Sequence, residues 1–340
     1  MSHRELLEAV YSDNTIALDD FFDRGHDINA KRTFNGDSLL ISAVKKGKWE
    51  MAEYLVDSGI DLNITNNDGE SALLKACSLG FTGMSGIGIP KYRDLLNKLV
   101  QGGANIDSVE NENHFTPATA SVYYTNIVAL DVLRKNGANL SIPTSKGETC
   151  LILAAKSTDA VLFGKTLNST PVSNLDDSDD CGRTAMHIAC DSDYNGSCQM
   201  MEDLILAGAD INILNNVKSS ALTLAVASNN VDKAKLLLEY GATFSNIFPV
   251  DDNDIFNDLD VVCGSAAILT YYRIKHYIEN EPERVNRRFL EITLKGLDNT
   301  NKDDVFESEI AHMKEAIVRF DMNSDPLMRS SDNALSSRRF

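Results

Sequence analysis

The chain has 340 residues, 43% of them apolar, only seven prolines and a formal net charge of −18. That length exceeds one ordinary core and points to two domains or a repeat array, while the composition excludes collagen, a coiled coil and wholesale disorder. The acidity argues against nucleic acid as a direct ligand, because that affinity rests on Lys and Arg neutralising phosphates, and no apolar run approaches the roughly 20 residues needed to span a bilayer.

Apolar helical stretches alternate with Gly-containing turns. Gly25, Gly59, Gly103, Gly137, Gly208 and Gly241 close such stretches at spacings of 34, 44, 34, 71 and 33 residues. One unit of roughly 33 residues therefore recurs, with one expanded copy and one copy lacking its glycine. Gly36, Gly69, Gly147 and Gly182 mark the following turn and fix the phase. The predicted units are approximately 1–34, 35–67, 68–112, 113–145, 146–180, 181–216 and 217–249. The first is a degenerate cap with Ala9-Val10 and Gly25-His26-Asp27-Ile28-Asn29. The second opens Gly36-Asp37-Ser38-Leu39-Leu40 and closes Gly59-Ile60-Asp61-Leu62-Asn63. The third runs from Gly69-Glu70-Ser71-Ala72-Leu73 to Gly103-Ala104-Asn105-Ile106-Asp107. The fourth carries Phe115-Thr116-Pro117 and Gly137-Ala138-Asn139, and the fifth Gly147-Glu148-Thr149-Cys150-Leu151. The sixth is the most regular, with Gly182-Arg183-Thr184-Ala185-Met186-His187-Ile188-Ala189 and Gly208-Ala209-Asp210-Ile211-Asn212, and the seventh has Ser220-Ala221-Leu222 and Gly241-Ala242.

In this register residues 3–246 resemble the ankyrin family, whose repeat opens with G-x-T-P-L-H-x-A-A and closes with L-L-x-x-G-A-D-V-N. The resemblance implies an all-α solenoid of about seven helix-turn-helix repeats. Ser38, Ser71, Thr116, Thr149, Thr184 and Ser220 recur where a hydroxyl caps a first helix. Ala43, Ala76, Ala154, Ala189 and Ala225 keep that helix thin, and the turn glycines supply a left-handed conformation that Cβ disfavours. No unit buries its apolar face alone, so the repeats stand only as a stack.

Three departures interrupt the pattern. The third repeat has eleven extra residues at 81–91, read as an insertion between paired helices. The fifth has Thr170 in place of its closing glycine, followed by the acidic loop Asp176-Asp177-Ser178-Asp179-Asp180, and the sixth is extended near Asp193 to Cys198. Beyond the repeats, residues 250–261 form an acidic linker. Residues 262–280, 284–297 and 303–321 read as helices, together a cap spanning 262–321 over the end of the stack. Ile310, Met313, Ile317 and Phe320 give the last helix one apolar stripe, and residues 322–340 are Ser-rich with few apolar residues and read as a disordered tail.

Chemistry-bearing clusters are few. Cys181, His187, Cys190 and Cys198 superficially suggest zinc, but their spacing matches no paired ligand arrangement, and the family register puts His187 in a turn-bonding slot and Cys190 in a buried one. Cys263-Gly264-Ser265 lacks a partner base, and the run Arg284, Arg287, Arg288 reads as a solvated helix face. The six cysteines lack the spacing of a disulfide framework and read as free thiols of a reducing, cytoplasmic compartment. No metal or cofactor is expected.

The resemblance implies binding through a concave face built from turn tips and the exposed positions of first helices. Register places Lys45, Lys46, Lys48, Tyr123, Tyr124, Asn126, Lys156, Asp191 and Tyr194 there, with Trp49 and Phe81 nearby. Exposed Tyr and Trp are the types that dominate binding hot spots. The leading expectation is a non-enzymatic module, monomeric in the free state, that grips a protein partner and inhibits or redirects it. It needs neither direct nucleic-acid contact nor membrane insertion. Divergent repeats with an extra C-terminal segment resemble a microbial or viral host-interaction protein, an effector delivered into a host cell. A second reading is an acidic mimic of nucleic acid that blocks a DNA- or RNA-binding protein. A third is an enzyme whose site lies beyond residue 250.

Overall fold

The computed structural model describes residues 3–30, 33–80, 88–192, 196–243, 265–280, 287–300 and 306–324. The chain divides into two compact units, Met1–Ala209 and Asp210–Phe340. Among the described residues it is all helical, apart from a short 3₁₀ turn at Val172–Asn174 and one bridge between Ser178 and Thr184.

In the first unit the helices come in pairs: α1 (His3–Tyr11) with α2 (Thr15–Asp23), α3 (Leu39–Lys45) with α4 (Trp49–Asp57), and α5 (Ala72–Cys77) with α6 (Gly88–Gln101). Next come α7 (Pro117–Tyr123) with α8 (Ile127–Lys135), α9 (Cys150–Lys156) with α10 (Ala160–Leu167), and α11 (Ala185–Asp191) with α12 (Ser197–Ala207). The first helices form one packed row, α1, α3, α5, α7, α9, α11, and α4, α6 and α8 pack in sequence behind it. At the centre of the row Ala43, Ala76, Ser121, Ala154 and Ala189 are wholly buried. The fourth repeat thus uses serine where the others use alanine, and the Ser121 hydroxyl donates to the Ala118 carbonyl at 2.7 Å. A satisfied hydroxyl at this position costs little more than a methyl group.

Helix starts follow the expected caps with one exception. Ser38 and Ser71 accept from the backbone N–H of Ile41 and Leu74. Thr116 forms a reciprocal capping box with Thr119, and Thr184 does so with His187. Thr149 occupies the same position, but its buried hydroxyl makes no hydrogen bond. The closing glycines adopt positive φ, from 79° at Gly59 to 100° at Gly208, as the left-handed helix end requires. The insertion is shorter than its sequence suggests, because Gly88 to Lys91 form the first turn of α6 and the 14-residue α6 exceeds the other second helices.

Two hydrogen-bond ladders stitch the repeats. Across the turn tips, backbone N–H groups of Asn67, Asn111, Ser145 and Asp180 donate to the carbonyls of Asn35, Asp68, Asn113 and Lys146 at 2.8–3.0 Å. At the opposite turns the side-chain oxygens of Asn29, Asn63 and Asp107 accept from the backbone of Asp61, Asn105 and Asn139 in the next repeat, at 2.7–3.0 Å. The acceptors are the Asn or Asp residues four positions after the closing glycines Gly25, Gly59 and Gly103. The fifth repeat has no such motif, and its stretch after α10 is carried by the 3₁₀ turn instead.

In the second unit α13 (Ala221–Ala227) and α14 (Val231–Glu239) make the seventh helix pair. Three longer helices follow: α15 (Ser265–Asn280), α16 (Arg287–Thr300) and α17 (Glu307–Ser324). Helix α15 packs on both α14 and α13, α16 packs on α15, and α17 on α16. Ile310 and Met313 are buried, whereas Ile317 and Phe320 on the same stripe are half-buried. Lys235 of α14 pairs with the buried Glu309 of α17 at 2.8 Å and lies over the Phe306 ring at 5.2 Å. The linker at 250–261, Cys263 and the tail beyond 324 lie outside the described residues.

The row of first helices leaves no room at its contact points. Ala154→Leu is expected to destabilise the chain by about 1–3 kcal/mol through overpacking, while Lys135→Ala on the exposed end of α8 stays within about 0.5 kcal/mol. Chemical denaturation of the two variants checks this.

Candidate functional site

One side-chain pair recurs along the face that carries the turn tips. It joins the residue after the turn glycine to the residue eight positions later, at the end of the first helix. In the second repeat Lys45 pairs with Asp37 at 2.9 Å, and in the fifth Lys156 pairs with Glu148. The third repeat varies this, with Lys75 reaching Glu70 at 2.9 Å. In the sixth the order is reversed: Arg183 precedes an exposed Asp191, and Arg183 pairs with Asp179 at 2.8 Å.

The fourth repeat replaces the ion pair with aromatic rings. Phe115 and Tyr123 occupy the two positions, with centroids 5.1 Å apart, and Tyr124 meets Tyr123 edge-on at 5.1 Å. Tyr123 is 56% exposed and Tyr124 41%, whereas most large apolar side chains of this unit are buried. Burial, with Tyr123, Glu70 and Glu110 close by, pushes the Tyr124 hydroxyl pKa up. The rings border a cavity of about 140 Å³ whose other wall is the fifth repeat's turn, with Thr144, Ser145 and Glu148. Immediately after them Thr125 takes φ 54° at the position where the second repeat has Gly47. A β-branched residue is a genuine outlier there.

The structure corrects several of the expected site residues. Asn126 is wholly buried and faces inward. Its Oδ1 caps α8 at Ala129, while its Nδ2 donates to the Cys77 and Leu79 carbonyls and to the Tyr92 hydroxyl at 2.7 Å. Tyr92, carried by the lengthened α6, also donates to the Ala76 carbonyl at 3.0 Å, and complete enclosure pushes its pKa up. Trp49 is buried against Tyr92, with centroids 5.3 Å apart. The lysines are engaged inside the chain: Lys45 and Lys156 as above, Lys48 with Asp13 at 2.7 Å, and Lys46 over the Tyr11 ring at 5.4 Å. Only Tyr123, Tyr124 and Asp191 of the expected set stand exposed without a role in holding the stack. Phe81 and Tyr194 lie outside the described residues.

Sequence reasoning missed a set of buried turn anchors. Asn66, Glu110, Thr144 and Asp179 each accept backbone N–H groups of their own turn, and Asn215 does the same in the second unit. The signal was an oxygen-bearing residue three or four positions before each turn glycine or its replacement. Asp179, the centre of the acidic loop, belongs to this set: burial raises its pKa, but hydrogen bonds from Arg183 and from the Cys181 backbone outweigh burial and hold it below the usual range. Asp179 is therefore a structural anchor of its turn. His187 is buried with Nδ1 at 3.0 Å from the Thr184 hydroxyl, and Cys190 is buried beside it in α11. Among the described residues no group of three or more His, Cys, Asp or Glu is arranged to hold a metal ion, and no helix is long and apolar enough to cross a membrane.

Stacked helix pairs with laddered turns and a variable outward face define a repeat scaffold, a class whose exposed tips present side chains to other macromolecules. The comparisons identify the class more closely. The profile of ankyrin repeats, in three copies, matches residues 6–84 and 162–248. The ankyrin repeat protein L86 of Acanthamoeba polyphaga mimivirus is 28% identical over 160 residues, covering 43% of this chain and 27% of its own. Human neurogenic locus notch homolog protein 1 is 30% identical over 187 residues, covering 54% of this chain and 7% of its own. The chain thus matches 27% or less of the length of these two relatives. Among solved structures, the ankyrin repeat domain of Bcl-3 aligns with a TM-score of 0.57 at 18% identity, over 68% of this chain and 96% of that one. The human ASB11 ankyrin repeat domain aligns at 0.52 and 22% identity, over 70% and 98%. The chain carries ankyrin repeats at residues 6–84 and 162–248, and such repeats are in general protein–protein interaction modules.

The inward-facing Asn126 is expected to be structural. Asn126→Ala removes a helix cap and leaves the buried Cys77 carbonyl and Tyr92 hydroxyl short of a partner, so a loss of about 2 kcal/mol or more is expected. Thermal denaturation of this variant beside Tyr124→Ala checks it, with the smaller loss expected in the latter.

Proposed function

We propose that the chain grips a protein partner through the turn-tip face of its first unit, with Phe115, Tyr123 and Tyr124 as the anchor. The supporting observation is the exposed aromatic cluster at positions where neighbouring repeats carry self-satisfied ion pairs. An ion pair closed within the chain offers a partner little, whereas half-exposed tyrosines beside a cavity offer area that binding desolvates. The partner is thereby inhibited or redirected. Resemblance to ankyrin proteins of a giant virus supports action inside a host cell, and the free cysteines, with Cys77 and Cys150 buried, suit a reducing compartment. Capture from host lysate followed by mass spectrometry identifies the partner. Tyr123→Ala with Tyr124→Ala is then expected to weaken its affinity roughly 30-fold or more, as central anchors do, with little change in melting temperature. Unchanged affinity sinks this assignment of the face.

We further propose that residues 262–321 act as a cap on the seventh repeat. Helix α15 lying on α13 and α14, and the Lys235–Glu309 pair, support it. Burial alone raises the Glu309 pKa, but hydrogen bonds from Lys235 and Ser308 outweigh it and hold the carboxylate below its ordinary value of 4.5. A depressed folded pKa stabilises above the unfolded value, and that contribution fades as pH falls through the lowered one. Glu309→Gln is therefore expected to lower stability at pH 7 and to lessen its loss between about pH 5 and 3. Acid titration of both proteins by circular dichroism reads this, and parallel curves contradict the role given to the pair.

A further inference from the structure

We propose that the Phe115–Tyr123–Tyr124 cluster receives an arginine side chain from a basic segment of the partner, an inference that rests on reading this face as a protein-binding surface. The cavity, about 140 Å³, suits one side chain rather than a helix or a strand. Its rings do not lie parallel: Phe115 and Tyr123 are tilted by 43°, Tyr123 and Tyr124 by 80°, so ring surfaces face more than one direction. Such a site takes either an aliphatic or a cationic guest, and the surrounding charge decides between them.

Glu148 borders the cavity, and Glu70 and Glu110 both bear electrostatically on Tyr124. Glu70 and Glu148 are each paired with a lysine, Lys75 and Lys156, and Glu110 is held by the N–H groups of its own turn. Aromatic faces carry negative potential of their own, and the whole chain has a net charge of −18. An acidic guest is disfavoured by the ring faces and by the net charge. A cation is drawn in at long range by the net charge and held at short range by the rings. Between the two cationic side chains, guanidinium is planar, stacks on tyrosine and is more weakly hydrated than ammonium, so it loses less on leaving water. Lys146 borders the same cavity and opposes a cationic guest, which gives the test a second handle.

The test is a titration of the full chain with the capped tripeptide acetyl-Gly-Arg-Gly-amide, followed by NMR of the tyrosine ring resonances, beside the citrulline, lysine and norleucine counterparts. Saturable shifts at Tyr123 and Tyr124 are expected. The arginine peptide should bind about 2- to 30-fold more tightly than the citrulline peptide, the span that cation–π contacts give. Lys146→Glu should tighten it further, and Tyr123→Ala with Tyr124→Ala should remove it. Equal binding of citrulline or norleucine makes the cavity apolar, equal binding of lysine makes it a plain charge site, and no saturable shift leaves no site. Each of these outcomes overturns the proposal. If partner capture still depends on the two tyrosines while the arginine peptide fails, the protein-binding reading stands and only the arginine falls. If the peptide binds and capture survives the double substitution, the reverse holds.

Discussion

The close approach of the first helices is the constraint from which the rest of the first unit follows. Ala43, Ala76, Ser121, Ala154 and Ala189 are the contact points, and each is fully shut off from water. With side chains that small, successive turns come near enough for backbone hydrogen bonds of 2.8–3.0 Å to run from tip to tip. The turn glycines then answer two demands together. Gly36 and Gly69 have φ of 74° and 81°, and a Cβ on either would sit 2.4 Å or 2.7 Å from the next repeat's Asn67 or Asn111. Neither demand alone would fix glycine as firmly as both do.

Because tip spacing is set by backbone and small side chains, the residues at the ends of the first helices vary in type, from Lys45 and Lys156, which close ion pairs, to Tyr123 and Asp191, which do not. They can carry whatever chemistry the surface needs without disturbing the stack, which is how one fold serves many partners. Four repeats fill the positions with charge, three of them closing an ion pair on the second or fifth repeat's spacing or a near variant of it, and one reversing its sign. In each pair the carboxylate is largely buried and the cation 22–35% exposed, so the pairs satisfy the acids within the chain and withhold their cations from partners. The fourth repeat alone among them gives up charge for rings.

The repeat register, the hydroxyl caps and the closing glycines were legible because each depends on one residue type at one spacing. Side-chain direction was not. Register put Asn126 just beyond the end of a first helix, next to two exposed tyrosines, and nothing local distinguished it from them. What turns it inward is Tyr92, brought against α5 by an α6 that is longer than its counterparts, and that contact spans 34 residues. Trp49 is buried by the same tyrosine. The turn anchors escaped notice for a different reason: their identity changes from Asn to Glu to Thr to Asp, and only an acceptor oxygen is shared. Glu110 shows the tolerance of that rule. Its turn is one residue longer than the others, and its side chain is longer to match, so three backbone N–H groups of the turn still reach it.

The fourth repeat departs from its neighbours at several points that stability does not explain. His114 holds φ 55° where the second, third, fifth and sixth repeats have glycine and the seventh has Lys218 at φ 62°, and Thr125 holds φ 54° where the second repeat has Gly47 and the seventh has Asn229 at φ 53°. Left-handed backbone costs about 1 kcal/mol or more for a residue with a Cβ, so neither choice strengthens the stack. Phe115, Tyr123 and Tyr124 add exposed apolar area on the same repeat. In a repeat array each unit is stabilised by its own packing and that of its neighbours, so one weakened unit is carried by the units on either side. The left-handed positions also carry a Cβ in the seventh repeat, at Lys218 and Asn229, so the exposed rings alone set the fourth repeat apart. Thr125 stands two residues past the end of α7, as Asn229 does past the end of α13, so the turn after the tyrosines is one the fold uses elsewhere.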